Sequence, residues 1–125
     1  MTRLQKRALF IKDIGNLVDR ASRLGITLMP YYYHRTKEEQ ARLYARGRRG
    51  IPGEKIVTYC DGIKKKSRHQ DWLAIDFGVL SDDGKKIIWV SEKYKIAGEI
   101  WTNIRKGNVW GGDWKSFKDP QHYQA

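Results

Sequence analysis

Two short stretches of this chain carry residue types suited to a hydrolytic metal site. SRHQDWLAID places His69 seven positions before Asp76, and DPQH places Asp119 three before His122. Imidazole nitrogen and carboxylate oxygen are donors that zinc accepts when three protein ligands leave a fourth position open for water. His69, Asp76 and His122 could supply that set. A carboxylate held beside a ligand histidine suits a general base, which takes a proton from attacking water and passes it to the leaving amine. Asp119 is placed for that part. The third histidine, His34, would close the site if it were a fourth ligand, and so is read as lying outside it.

Spacing tests the first pair. Two ligands of one ion each sit about 2 Å from it, so their Cα atoms lie within roughly 10 Å. Seven extended residues would span about 23 Å, and seven residues of α-helix about 10.5 Å along the axis. The segment is therefore expected to bend between His69 and Trp72, then run as a strand through LAIDF. On that strand Leu73, Ile75 and Phe77 point into a core, while Ala74 and Asp76 point the other way. A plainer reading stays open, since an alternating strand also shows a lone aspartate to water.

The second stretch lies near the end of the sequence, where a loose solvated segment is the plain alternative. Pro120 fixes its own φ and drives Asp119 into an extended conformation. Trp110, Trp114 and Phe117 fall within VWGGDWKSF. Such large aromatics rarely stand in water, so they are expected to dock this segment and bring His122 inward. Asp113 rivals Asp119 as a base, but its flanking glycines and Trp114 read as a turn.

The elements that must position these residues follow from periodicity. Leu4, Ala8, Ile11, Ile14, Val18 and Ala21 recur at three- and four-residue steps, one stripe of a helix over residues 2–24 that Gly25 ends. ITLMPYYY predicts a strand interrupted or edged at Pro30. Thr36 with Glu39 makes a capping box for a short helix closed by Gly47. A basic glycine-rich loop, RGRRGIPGE, precedes KIVTYC, read as a strand, and DGIKKKS, read as a loop. SDDG lacks the ligand spacing of a calcium loop and reads as a turn before the strand IIWV. Ser91 caps a helix running through Lys106, with Ile96, Ile100, Trp101 and Ile104 inward and Gly107 at its end. The class is α+β, a small mostly antiparallel sheet with a few flanking helices.

The 125 residues, without repeat or low-complexity linker, predict a single domain large enough for its own core. One cysteine, Cys60, excludes an internal disulfide and a thiol-rich metal site; it reads as a small hydrophobe rather than a nucleophile. The first twenty residues hold no continuous apolar run, so neither a signal peptide nor a membrane span is predicted there. The formal net charge of +11 implies an acidic partner. Nucleic acid and an anionic cell envelope fit equally, and a solubilising basic face is the plain alternative.

Beyond these readings, SRHQDWLAID resembles the S-x-H-x-x-G-x-A-x-D signature of the zinc D-alanyl-D-alanine peptidases. WGGDWKSFKDPQH is similar to the C-terminal signature of their bacteriophage branch, the L-alanyl-D-glutamate endopeptidase endolysins. YYYHRTKEEQARLYARGR resembles the arginine-bearing segment of that branch, and the likeness runs from about Ile26 to His122 in the family's order. It implies zinc held by His69, Asp76 and His122, with Asp119 as catalytic acid–base. It also implies Arg35 on the substrate carbonyl or developing oxyanion, and Ser67 as a supporting or substrate-binding hydroxyl. The implied fold is the small α+β domain shared with Hedgehog modules. One position departs from the signature: its glycine is Trp72 here. Either the bend tolerates negative φ at Trp72, or it lies at Gln70 and Asp71.

The implied activity is zinc-dependent cleavage of the L-alanyl-D-glutamate bond in the peptidoglycan stem peptide. Basic side chains in GRRG and KKKSR would draw the enzyme to the anionic envelope. A monomer is expected, with no stable nucleic-acid or membrane partner. It would collect in the host cytoplasm until lysis and then reach the periplasm and wall. Three other readings remain. A D-Ala-D-Ala carboxypeptidase or dipeptidase would release D-alanine. A basic nucleic-acid-binding module would need neither His69 nor His122. A non-enzymatic zinc domain would lose nothing on Asp119→Asn.

Overall fold

The computed structural model describes residues 1–125. Its elements are α1 (Arg3–Arg23), β1 (Leu28–Tyr32), α2 (Lys37–Ala45), a 3-10 turn (Arg68–Asp71), β2 (Ala74–Leu80), β3 (Ile87–Ile88), α3 (Lys93–Ile104), β4 (Val109–Trp110), a second 3-10 turn (Gly111–Asp113) and β5 (His122–Gln124). All strand pairs are antiparallel, in the order β1-β2-β5-β4, with β3 paired to the far end of β2. Three helices with a small antiparallel sheet make the expected α+β class. Fourteen buried side chains form the core, thirteen from α1, α3 and the sheet and one, Ile26, from the α1–β1 connection.

The α1 helix begins with a capping box between Thr2 and Gln5, and the chain leaves it through Gly25 at φ +77°. Its inward face differs from the predicted stripe. Phe10, Asp13, Ile14, Leu17 and Ala21 are buried, whereas Leu4, Ile11 and Val18 are exposed. The helix turns this way because Phe10 and Leu17 bring more apolar area than the residues they displace. Asp13 can follow them inside because Arg105 grips its carboxylate with two hydrogen bonds of 2.7 and 3.1 Å. In α3 the inner face is Tyr94, Ala97, Gly98 and Trp101; Ile96 points outward, and Ile100 and Ile104 pack at the margin.

The central strand is β2. Ile75, Phe77 and Val79 enter the core, and β1 and β5 cover its two edges around Asp76. Its partner β1 carries an irregularity between Pro30 and Tyr32, where proline cannot donate to the ladder. KIVTYC does not form the predicted strand; residues 55–60 are irregular. No sheet edge reaches them. Their polar groups are met instead by the Gln40 amide, which donates to Thr58 Oγ1 and to the Cys60 carbonyl.

The aromatic segment docks as expected, though unevenly. Trp110 is buried, and its indole N–H donates to the Pro120 carbonyl at 2.7 Å. A Cβ on Gly98 or Gly112 would overlap that indole, which is why both positions lack a side chain. Trp114 is half-buried against His122. Phe117 does not anchor anything in the core; it is exposed and meets Tyr59 edge-on at 4.9 Å.

Candidate metal centre

Sheet register assembles the site. Asp76 on β2 stands directly opposite His122 on β5, and directly opposed residues of antiparallel strands share a face with Cβ atoms about 5 Å apart. His69 arrives from the 3-10 turn just before β2. Ser67 caps that turn, accepting the His69 N–H, while Gln70 reaches back to the Ser67 N–H. The bend required by the His69–Asp76 spacing is therefore a capped turn.

His69 Nε2 and His122 Nδ1 lie 3.4 and 3.2 Å from Asp76 Oδ1. All three donor atoms fall within 4.8 Å of one another, and the residues are only 2 %, 6 % and 8 % exposed for His69, His122 and Asp76. Burial pushes the Asp76 carboxyl up, but the hydrogen bonds of His122 and His69 outweigh it and hold it down at about 2.

The outward nitrogens of both rings are also engaged. His69 Nδ1 lies 2.7 Å from the Tyr33 carbonyl, and His122 Nε2 lies 2.7 Å from Gln124 Oε1. Each imidazole thus has an oxygen acceptor at both nitrogens, while a neutral ring carries one N–H. In the neutral tautomers whose outer nitrogens donate, the hydrogen bonds to Asp76 are given up, and His69 Nε2 and His122 Nδ1 turn lone pairs toward the same space as its carboxylate. Two lone pairs and an anion converging in a buried space fit a divalent cation, and a hydrogen-bonded outer nitrogen is the usual support for a metal-ligating histidine. The residues present fit zinc as an N2O set.

The triad opens into a cleft of about 1220 Å³, lined among others by Arg35, Ser67, Lys64, Trp114 and Asp119. Asp119 is fixed through its backbone: its N–H donates to the Gly111 carbonyl, and its carbonyl accepts the His122 N–H, both at 3.0 Å. A Cβ on Gly111 would overlap the Asp119 carbonyl oxygen, so glycine is what allows this approach. Burial and then the charge of Asp76 raise the Asp119 carboxyl above its ordinary value, against an opposing effect of His122. Asp113, the rival, is exposed and outside the cleft lining.

Arg35 is held on two sides. Its Nη1 donates to Gln40 Oε1 at 2.9 Å and its Nε to the Tyr32 hydroxyl at 3.3 Å, which itself donates to Glu39. Nη2 has no partner within the protein and remains available to the cleft. His34 stands apart from the triad, stacked on Trp72. Gln40 escaped the sequence reading although it is wholly buried and joins Arg35 to the 58–60 wall. Gln124 also escaped it; lying two residues past His122 on a strand, it shares that residue's face, which was a usable signal.

Trp72 settles the question its position raised. It adopts φ 62°, ψ 31°, the left-handed conformation that glycine takes most freely, so the alternative of a negative φ there does not hold. The bend runs through the 3-10 turn that holds Gln70 and Asp71 and closes at Trp72 with positive φ.

A family model described as D-alanyl-D-alanine carboxypeptidase matches residues 61–125, and the chain belongs to this peptidase M15 family. Over 111 residues it is 36 % identical to the peptidoglycan L-alanyl-D-glutamate endopeptidase CwlK of Bacillus subtilis (strain 168), covering 83 % of this chain and 64 % of that one. Its fold is similar to the crystal structure of the Serratia marcescens L-Ala D-Glu endopeptidase ChiX, with a TM-score of 0.54 and 20 % identity over 79 % of this chain and 66 % of the other. The chain spans just under two thirds of the length of each of these relatives.

Proposed function

We propose that this protein is a metal-dependent peptidoglycan peptidase that hydrolyses the L-alanyl-D-glutamate bond of the stem peptide. The observation that carries the reading is the convergence of His69 Nε2, Asp76 Oδ1 and His122 Nδ1 in one cleft with the half-buried carboxyl of Asp119. The bond follows from the similarity to CwlK.

His69, Asp76 and His122 would hold the zinc, which when bound supplies a Lewis acid for the scissile carbonyl and acidifies water. Asp119 accepts a proton from the attacking water at its carboxylate and delivers it to the leaving amide nitrogen. Its raised carboxyl suits both halves of that transfer. Arg35 turns Nη2 toward the carbonyl oxygen, where negative charge grows as the carbon becomes tetrahedral. A donor of this kind contributes about 3 kcal/mol. Ser67 lines the cleft with its hydroxyl hydrogen still available to a substrate carbonyl. Lys64, Lys65 and Lys66 line it too, and favour an anionic wall peptide. The same reading extends to a monomeric endolysin, kept in a host cytoplasm and released to the wall at lysis. Its support is the likeness of WGGDWKSFKDPQH to the phage signature.

A second reading is kept because the matching family model is described as D-alanyl-D-alanine carboxypeptidase. Digestion of purified peptidoglycan with and without a chelator, followed by mass spectrometry, separates the two. New N-terminal D-glutamate is expected from the metal-loaded protein. Release of D-alanine would favour the second reading, and hydrolysis indifferent to chelation would overturn both.

A further inference from the structure

The conformation of Trp72 is costly for any residue but glycine, yet its side chain is closely engaged. The indole stacks on the His34 imidazole, with ring centroids 4.0 Å apart and planes 13° from parallel. It meets the Tyr33 ring at right angles, 5.4 Å away. The Arg7 guanidinium from α1 lies over it at 5.4 Å, while the Arg7 Nε is buried without a hydrogen-bond partner. The Trp72 carbonyl accepts the Tyr33 hydroxyl at 3.3 Å.

These contacts all bear on one short segment. Tyr33 supplies the carbonyl that lies 2.7 Å from His69 Nδ1, and Arg35, two residues on, donates its backbone N–H to the His69 carbonyl at 3.2 Å. The left-handed turn at residue 72 is what sends the chain into β2 while folding the indole back over residues 33 and 34. Glycine would make the same turn and leave that space empty.

We propose that Trp72 is a positioning residue for the metal centre: its indole clamps Tyr33 and His34, and thereby fixes the carbonyl that orients the His69 imidazole. The inference rests on the metal reading above. The clamp also ties α1, through Arg7, to the first ligand. Loss of the hydrogen-bond partner of a ligating histidine weakens metal binding about 10- to 100-fold, and loosening that partner rather than removing it is expected at the low end, about tenfold.

The test measures zinc affinity by competition with a chromophoric chelator in wild type, Trp72→Gly, Trp72→Phe and His34→Ala. It also follows the His69 Nδ1–H resonance in the zinc-free proteins. Trp72→Gly takes the required backbone without strain and so keeps the fold. It is expected to bind zinc about tenfold more weakly and to show a broadened or lost Nδ1–H signal. Trp72→Phe, which keeps a ring, recovers part of the affinity. His34→Ala weakens binding without touching the backbone at 72, and so serves if Trp72→Gly proves unfolded. Wild type failing to bind zinc would sink the metal reading itself. Wild type binding zinc while Trp72→Gly and His34→Ala match it, with the Nδ1–H signal intact, would overturn the positioning role alone, even if their melting temperatures shifted.

Discussion

Asp119→Asn is the sharpest probe of the proposed chemistry, because the structure separates what the residue holds from what its carboxylate does. The two hydrogen bonds that fix its place, to the Gly111 carbonyl and from the His122 N–H, belong to the backbone and survive the change. Asparagine is close to isosteric, so the turn, β5 and the position of His122 should be kept. The amide cannot take a proton from water or return one to the leaving nitrogen. General acid–base catalysis contributes roughly 10²- to 10⁴-fold. At 1.36 kcal/mol per decade that is about 3–5 kcal/mol on the barrier. The expected result is a fall of at least about a hundredfold in kcat on soluble stem peptide, with KM, zinc content and melting temperature near those of wild type. Residual activity above about a tenth of wild type in a zinc-loaded, folded variant would refute the role of Asp119. So would loss of zinc on the same substitution, since that would make Asp119 a ligand.

Three further outcomes are expected. Gly111→Ala forces a methyl group into the Asp119 carbonyl and to within 2.9 Å of His122 Cβ; relief of such overlap costs about 1–3 kcal/mol, so thermal melting should show that loss, together with weakened zinc binding. Gln40→Met keeps the volume but removes the acceptor of Arg35 Nη1; kcat should drop about tenfold with little change in KM, and the combination with Arg35→Met should be no worse than Arg35→Met alone. Asp61 accepts the N–H groups of Ile63, Lys64 and Lys65, and those bonds, the Lys65 one first, hold its carboxyl below the ordinary value. A depressed carboxyl stabilises the fold fully above its unfolded pKa and loses that contribution as pH falls through the folded one. The amide shifts of residues 63–65 should therefore collapse toward random-coil positions on acidification. Asp61→Asn should show less of this pH response, and an identical titration would refute the attribution.

The parts of the site that lie on regular elements were legible from residue types and spacing. Period-two alternation through LAIDF put Asp76 opposite to Ile75 and Phe77, and the reach of two ligands on one ion demanded a bend before it. The structure supplies that bend and brings His69, Asp76 and His122 together. What escaped was decided by partners distant in sequence. The face of α1 turned on Asp13, acceptable inside only because Arg105 waits just past the end of α3. KIVTYC has strand composition, but it pairs with no strand of the sheet. Trp72 looked incompatible with the turn because its ring contacts, with Tyr33, His34 and Arg7, come from two other segments. Gln40 resembled any polar helix residue until the walls around it were known.

Two ligands on adjacent strands have a consequence for how such a chain can change over time. Asp76 and His122 are 46 residues apart in sequence, yet their meeting is set by the β2–β5 register alone. The intervening chain therefore tolerates changes in length at its exposed turns, because closing a longer loop costs only about 0.6 kcal/mol per doubling. The turn at Asp82–Gly84 is one such place: it is exposed, and a Cβ at Gly84 would meet open space. Residues, or a whole appended module, inserted there would leave His69, Asp76 and His122 where they are. A single-residue slip within β2, by contrast, would turn Asp76 into the core and Ile75 toward the metal. The geometry of the His69–Asp76–His122 group is thus indifferent to how much chain lies between its parts and intolerant of one step along the strand.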